Sequence, residues 1–89
     1  MHGEYKTPGG KMVVADFEVR EGRLADVQIS GDFFLYPETA LKEINDALNG
    51  ASVDSDLATI VAISLSPGIE MLGFTPEAVA EAVRRGLLR

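Results

Sequence analysis

Apolar and polar residues alternate with a period of two over much of the first third of the chain. Residues 11–20 and 23–30 each show this alternation, which is typical of strands that bury one face of an antiparallel sheet. Glu21-Gly22 lies between the two runs and predicts a tight hairpin turn. The alternation slips at Ala15-Asp16, where we predict a β-bulge. The apolar positions assigned to one face of the first run are Met12, Val14, Phe17 and Val19.

A third extended segment precedes these two runs. It covers residues 3–8, and Pro8-Gly9-Gly10 marks the turn that follows, because proline fixes one dihedral angle and glycine permits positive φ. The last strand has Leu24, Val27 and Ile29 as its apolar positions. We therefore predict a three-stranded antiparallel β-meander.

The apolar spacing changes to that of a helix after the third strand. Pro37 suits a first helical position, and Glu38 favours the positive end of the helix dipole. Asn49-Gly50 predicts the end of this helix, since both residues tolerate the left-handed conformation. Its apolar stripe consists of Ala40, Leu41, Ile44, Ala47 and Leu48.

Two more helices are predicted. Residues 52–56 offer several N-cap side chains for the second, which Ser66-Pro67-Gly68 would stop. The β-branched residues over 59–65 are also compatible with a strand. Residues 69–73 are interpreted as a short extended connector.

Thr75 is the predicted N-cap of the third helix, with Pro76 at its first position and Phe74 packing on Val79 as a hydrophobic staple. The apolar side of this helix consists of Val79, Val83 and Leu87, with Ala78, Ala82 and Gly86 beside them. Its basic C-terminal end consists of Arg84, Arg85 and Arg89. The order βββααα indicates an α+β fold, with about three helices packed on one face of the sheet.

The amino-acid composition argues against several classes of function. The 89 residues suit one domain, 1–89, and the chain has no cysteine, one histidine and a net charge of −6. The absence of cysteine excludes disulfides and thiolate sites. His2 is expected to fray with the terminus, which leaves a histidine-based catalytic or metal site without support. Without a basic stripe we expect no nucleic-acid binding. Without an apolar span or a signal peptide we expect no membrane association and a cytoplasmic protein.

One glycine-rich, basic segment could bind an anion. Lys6-Thr7-Pro8-Gly9-Gly10-Lys11 places two adjacent glycines between two lysines, and successive backbone N–H groups can form an anion-binding nest. The spacing is not that of a Walker A loop. A plain β-turn carrying two surface lysines explains the same residues.

An aromatic corner follows the meander at residues 29–37, where three of the six aromatic residues lie beside Gly31 and Asp32. Asp32 is compatible with an Asx-type cap at the end of the strand. Alternation would direct the rings of Phe33 and Phe34 to opposite sides, one into the core and the other outward as a contact surface.

These two segments resemble the C-terminal accessory domain of lipoate–protein ligases. The family pattern K-x-P-G-G-K followed by an aliphatic pair matches residues 6–13, and I-x-G-D-F-F matches residues 29–34. A Pro-Glu helix start then follows in both. The closing Gly73-Phe74-Thr75-Pro76-Glu77 and the alanine-rich helix after it are also similar, so that the resemblance covers about residues 4 to 87.

The resemblance implies a topology similar to SufE/NifU-type proteins and a non-catalytic role. In the family, the large domain binds lipoate, ATP and Mg²⁺, and the small domain is needed to form lipoyl-adenylate. In the family this domain usually follows a large catalytic domain on the same chain, whereas here Met1 directly precedes the motif. The chain therefore resembles the separate small subunit of a bipartite ligase, and the competing explanation is a domain fragment of a longer ligase.

Several expectations follow from this resemblance. The chain alone would have no activity and no bound cofactor, and would form a heterodimer with a catalytic subunit. It would act indirectly on lipoyl acceptor domains of 2-oxoacid dehydrogenase complexes or on the glycine cleavage H protein. The expected interface residues are Lys6, Pro8, Gly9, Gly10, Lys11, Gly31, Asp32, Phe33 and Phe34. The alternative function is a non-enzymatic scaffold or adaptor that binds another protein through the aromatic corner.

Overall fold

A three-stranded antiparallel sheet forms one layer of the protein in the computed structural model, and three helices form the other layer, two of them packed on the sheet and one on those two helices. The structure describes residues 1–9, 11–36, 39–65, 69–72 and 75–88, with the backbone alone at 34 and at 70–72. The sheet consists of β1 (His2–Lys6), β2 (Met12–Arg20) and β3 (Arg23–Gly31), in that order. The helices are α1 (Thr39–Leu48), α2 (Leu57–Ser64) and α3 (Pro76–Leu87). The predicted α+β class is confirmed.

A second, two-stranded sheet was not predicted. β4 (Phe34–Tyr36) pairs antiparallel with β5 (Glu70–Leu72). The predicted extended conformation is therefore confirmed for residues 70–72, but their pairing with β4 was not predicted. Strand segments of three residues are too short to show a period, and their pairing joins positions that are 38 residues apart, 34 and 72.

The buried face of β2 differs from the predicted one. Val13, Ala15 and Phe17 are buried against the helices, whereas Met12 and Val14 are only half-buried. The assignment of Met12 and Val14 to the core face with Phe17 is therefore wrong. The buried positions of β2 keep a strict period of two, but the apolar Met12 and Val14 on its other face concealed that period in the sequence.

The β-bulge lies on β3 instead of at Ala15-Asp16. From the pair Asp16–Gln28 to the pair Glu18–Ala25, β2 advances by two residues and β3 by three. The extra residue is consistent with Asp26, which has φ of +53°. Aspartate tolerates this left-handed conformation better than most side chains. The bulge lets both Leu24 and Val27 face the core despite their odd spacing.

Two helix starts are confirmed with their capping residues. Asp56 caps α2, where its carboxylate accepts a hydrogen bond from the Thr59 N–H at 3.3 Å. The Thr59 hydroxyl, which donates to the same carboxylate at 2.9 Å, is the main cause that lowers the pKa of Asp56. Thr75 caps α3 by accepting from the Ala78 N–H at 3.0 Å. Other predicted features lie outside the described residues: the Pro37-Glu38 start, the Ser66-Pro67-Gly68 stop, the Phe74 staple and Arg89.

Helix α1 covers the open edge of β3 with two polar side chains. The amide oxygen of Asn45 accepts from the Ile29 N–H at 3.0 Å, and that of Asn49 accepts from the Val27 N–H at 2.9 Å. These two N–H groups point away from β2, towards the open edge of the sheet. There the asparagine side chains accept hydrogen bonds that an additional strand would otherwise accept.

Helix α3 crosses β1 at a contact between two glycines. A Cβ atom on Gly3 would lie 1.9 Å from the Ala82 carbonyl oxygen and 2.5 Å from the Gly86 nitrogen. A Cβ atom on Gly86 would lie 2.8 Å from two carbons of the Phe17 ring. Glycine at both positions therefore allows α3 to pack directly on the backbone of β1.

His2 belongs to β1, so the expectation that it frays with the terminus is wrong. It pairs across the sheet with Asp16, and its ring nitrogens lie 2.6 Å from Asp16 Oδ1 and 2.7 Å from Glu4 Oε2. Hydrogen bonds to Glu4 and Asp16 raise the pKa of His2 above 6.5. Among the described residues, no helix has both the length and the hydropathy to cross a membrane.

Candidate functional site

The β1–β2 turn is exposed and is closed by Thr7. The Thr7 N–H and its hydroxyl both donate to the Lys11 carbonyl oxygen, at 2.7 and 2.9 Å. Gly9 adopts φ of +98°, which a glycine accommodates without strain. Gly10 lies outside the described residues, so the predicted nest of two N–H groups is not described. The exposed residues of the turn that were predicted as site residues are Lys6, Pro8, Gly9 and Lys11.

Asp32 joins this turn to the end of β3. Its Oδ1 accepts a hydrogen bond from the Met12 N–H at 2.6 Å, and its own N–H donates to the Met12 carbonyl oxygen at 3.3 Å. The predicted cap at the strand end is present, but it caps the neighbouring strand β2 instead of a residue close in sequence. Two segments that were selected separately from the sequence are thus brought side by side.

Gly31 makes the close approach possible. A Cβ atom at this position would lie 2.1 Å from the Met12 carbonyl oxygen and 3.0 Å from two carbons of the Phe33 ring. Those distances are well below ordinary van der Waals contact. Any side chain at position 31 would therefore push the corner away from the turn.

Phe33 is half-buried and packs against the core. Its ring also lines an open apolar cleft of about 400 Å³ together with Gly31, Leu35 and Leu41. The side chain of Phe34 lies outside the described part of the structure, so the prediction that the two rings face opposite sides stays a prediction. Tyr36 extends the apolar surface and is 58% exposed.

The turn and the corner present lysine, aspartate and phenylalanine side chains at or near the surface. No group of three or more His, Asp or Glu residues in the described part of the chain could hold a metal ion, and the sequence has no cysteine. Two exposed lysines, one aspartate used as a clamp and a half-buried phenylalanine can bind a partner's surface. The arrangement defines a small α+β protein with a lysine-bearing turn fixed beside an aromatic corner.

Comparisons with known proteins show two that are similar to this chain. No family model matches the sequence. The chain is 34% identical over 62 residues to lipoate-protein ligase A subunit 2 of Thermoplasma acidophilum, an alignment that covers 70% of this chain and 65% of that relative. The chain thus matches somewhat less than two thirds of the relative's length.

A solved structure of an archaeal lipoylation system, a bipartite lipoate protein ligase and its E2 lipoyl domain from Thermoplasma acidophilum, also contains a similar chain. The two folds superpose with a TM-score of 0.75 and 28% identity, over 94% of this chain and 98% of that chain. Both similarities point to a subunit of a lipoate–protein ligase, which confirms the resemblance found in the motifs.

Proposed function

We propose that this protein is the accessory subunit of a two-chain lipoate–protein ligase. It is needed, together with the catalytic subunit, for the ATP-dependent activation of lipoate to lipoyl-adenylate, which precedes transfer to a lysine of an acceptor lipoyl domain. The observation that carries the proposal is the structural match to nearly the whole of one chain from a bipartite ligase.

The accessory subunit contributes no covalent step in this proposal. In this proposal ATP, Mg²⁺ and lipoate are held by the catalytic subunit. Adenylation requires that water be excluded and that the lipoate carboxylate be held near the α-phosphate. A rigid neighbour favours that closed arrangement by binding it more tightly than the open one.

The contact surface in this proposal is the turn with the corner. Lys6 and Lys11 are exposed, and the Asp32 clamp fixes the strand that follows Lys11. This rigidity supports a role in binding, because side chains on a fixed backbone lose less conformational freedom when they contact a partner. Gly9, Gly10, Pro8, Gly31, Phe33 and Phe34 complete the proposed surface.

The cellular role follows from the same proposal. The heterodimer acts in the cytoplasm on lipoyl domains of 2-oxoacid dehydrogenase complexes or on the glycine cleavage H protein. The competing function, an adaptor that binds an unrelated protein through the corner, predicts no effect on ligase chemistry.

Pyrophosphate release tests the proposal. The purified chain is mixed with the lipoate–protein ligase catalytic subunit from the same genome, ATP, Mg²⁺ and lipoate, and pyrophosphate is measured against each protein alone. We expect release that depends on both proteins and saturates with this chain, as mass action requires. Release by the catalytic subunit alone at the same rate would refute an accessory role and leave the adaptor.

The two lysines of the turn provide a more local test. Replacing Lys6 and Lys11 together by Ala should lower lipoyl-adenylate formation about tenfold at low salt, because exposed interfacial charges speed and orient association. The control is the double variant Arg20→Ala/Lys42→Ala, which removes two exposed cations elsewhere. Circular dichroism should show both variants folded. Equal activity of the two variants would mean that the turn has no special role.

A further inference from the structure

A second cleft lies between the turn and α3. Its volume is about 530 Å³, and Tyr5 and Pro8 line it from the side of the sheet and turn. Glu77, Glu81 and Arg84 line it from α3. The cleft lies on the side of β1 that faces the helices, as Tyr5 does. Lys6, the next residue in β1, points to the opposite, outer face of the sheet.

One carboxylate of this cleft has no cationic partner within the described part of the chain. Glu81 has two cationic neighbours, with Arg84 at 3.6 Å and Arg85 at 3.1 Å. Glu77 is exposed and has no ion pair or side-chain hydrogen bond among the described residues. The lining thus holds two carboxylates against one guanidinium, and the free carboxylate is that of Glu77.

The ring of Tyr5 already has a cation beside it, outside the cleft. The guanidinium carbon of Arg85 lies 4.8 Å from the centre of the Tyr5 ring, within the distance of a cation–π interaction. Arg85 does not line the cleft, so the part of Tyr5 that faces the cleft is available to another group. An aromatic wall opposite a free carboxylate suits a lysine or arginine side chain, which has an apolar stem and a charged end.

We propose that this cleft binds a lysine or arginine side chain of the catalytic subunit, with its charged end at Glu77 and its stem against Tyr5. The inference rests on the proposed function and adds a defined contact to it. Charge complementarity selects this occupant, because the lining holds two carboxylates and one guanidinium and no cation of the described residues pairs with Glu77. A second copy of this acidic chain would bring the same carboxylate to the same surface. The cleft also shares Pro8 with the proposed turn surface, so one partner can contact both.

The binding affinity of the two subunits tests this contact. Isothermal titration calorimetry at 50 mM salt would compare the wild-type chain with Glu77→Lys and Glu77→Gln. The control is Asp54→Lys, an exposed acid before α2, because both lysine variants change the net charge from −6 to −4. We expect Glu77→Lys to raise Kd about tenfold and Glu77→Gln about threefold, with the control within about twofold. At 500 mM salt the effects should fall below about twofold.

The outcomes separate this inference from the proposed function. If the wild-type chain binds and supports adenylation but Glu77→Lys binds equally well, the cleft contact is refuted and the accessory role stands. Equal weakening by Asp54→Lys would show a general effect of net charge and also refute the contact. If Glu77→Lys impairs only capture of the lipoyl domain, a different occupant is identified and the inference is overturned. Failure of the wild-type chain to bind the catalytic subunit at all would refute both proposals.

Discussion

The contact between Gly3 and α3 leads to a quantitative prediction for Gly3→Ala. The added methyl carbon would lie 1.9 Å from the Ala82 carbonyl oxygen, whereas an unstrained carbon–oxygen contact needs roughly 3.3 Å. Because the obstructing atoms belong to the helix backbone, no side-chain rotation can relieve the overlap. Either α3 must move away from β1 by about 1 Å or more, or β1 must distort.

The cost of this movement can be worked from the packing. A gap of 0.5–1 Å removes about a quarter to a half of each dispersion contact across it, and α3 buries Val79 and Val83 in the core. Replacing Gly by Ala in a strand recovers roughly 0.5–1 kcal/mol of chain entropy. We expect a net loss of about 2–4 kcal/mol in the free energy of unfolding, within the usual range for overpacking or slightly above it.

Chemical unfolding in urea, followed by circular dichroism, would measure this loss. The matched control is Gly50→Ala, where the added carbon meets nothing within 4 Å but φ is +86°. The control should cost about 1 kcal/mol from backbone strain alone. If Gly3→Ala were no more destabilising than Gly50→Ala, the reasoning from direct backbone packing would be wrong.

Two further predictions concern the clamp and the sheet's outer face. Asp32→Ala should cost about 0.5–2 kcal/mol of stability, because the Met12 N–H would lose its acceptor, as happens when a helix cap is removed. Asp32→Asn should recover much of this loss. Equal unfolding midpoints for the two variants would argue against the hydrogen bond. His2, whose raised pKa comes from Glu4 and Asp16, should stabilise the fold fully below pH 6.5 and lose that effect as pH rises through its folded-state pKa. Urea unfolding of His2→Gln and wild type should therefore differ at pH 5.5 and converge at pH 8.5, and a difference independent of pH would contradict it.

The sequence predicted those features that depend on local spacing. Both capped helices start where their N-cap residues indicated, because a cap is decided by residues three positions apart. The bulge was predicted in β2 instead of β3. The sequence signal for it is the three-residue spacing of the buried Leu24 and Val27, whereas the polar Asp16 only suggested a break in the alternation of β2. Conversely, the strict alternation of Val13, Ala15 and Phe17 was hidden by the apolar Met12 and Val14 on the outer face.

The candidate site was predicted only in part for a similar reason. Family motifs identified the turn and the corner, but the hydrogen bond from Met12 to Asp32 joins residues 20 positions apart and depends on the register of β2 with β3. The second cleft requires the crossing of α3 over β1, which no local pattern specifies. Glu77 was noticed only as a favourable residue in a first helical turn.

The two asparagines of α1 also limit how the protein can be recognised. Asn45 and Asn49 occupy N–H donors on the outer edge of β3, which is where a foreign strand would add by β-augmentation. Such an addition would have to displace the helix. The β3 edge is thereby protected against edge-to-edge aggregation. Recognition on this side of the molecule must therefore use side chains and loop surfaces. Backbone pairing would accept almost any extended chain, whereas contacts through individual side chains can select one partner.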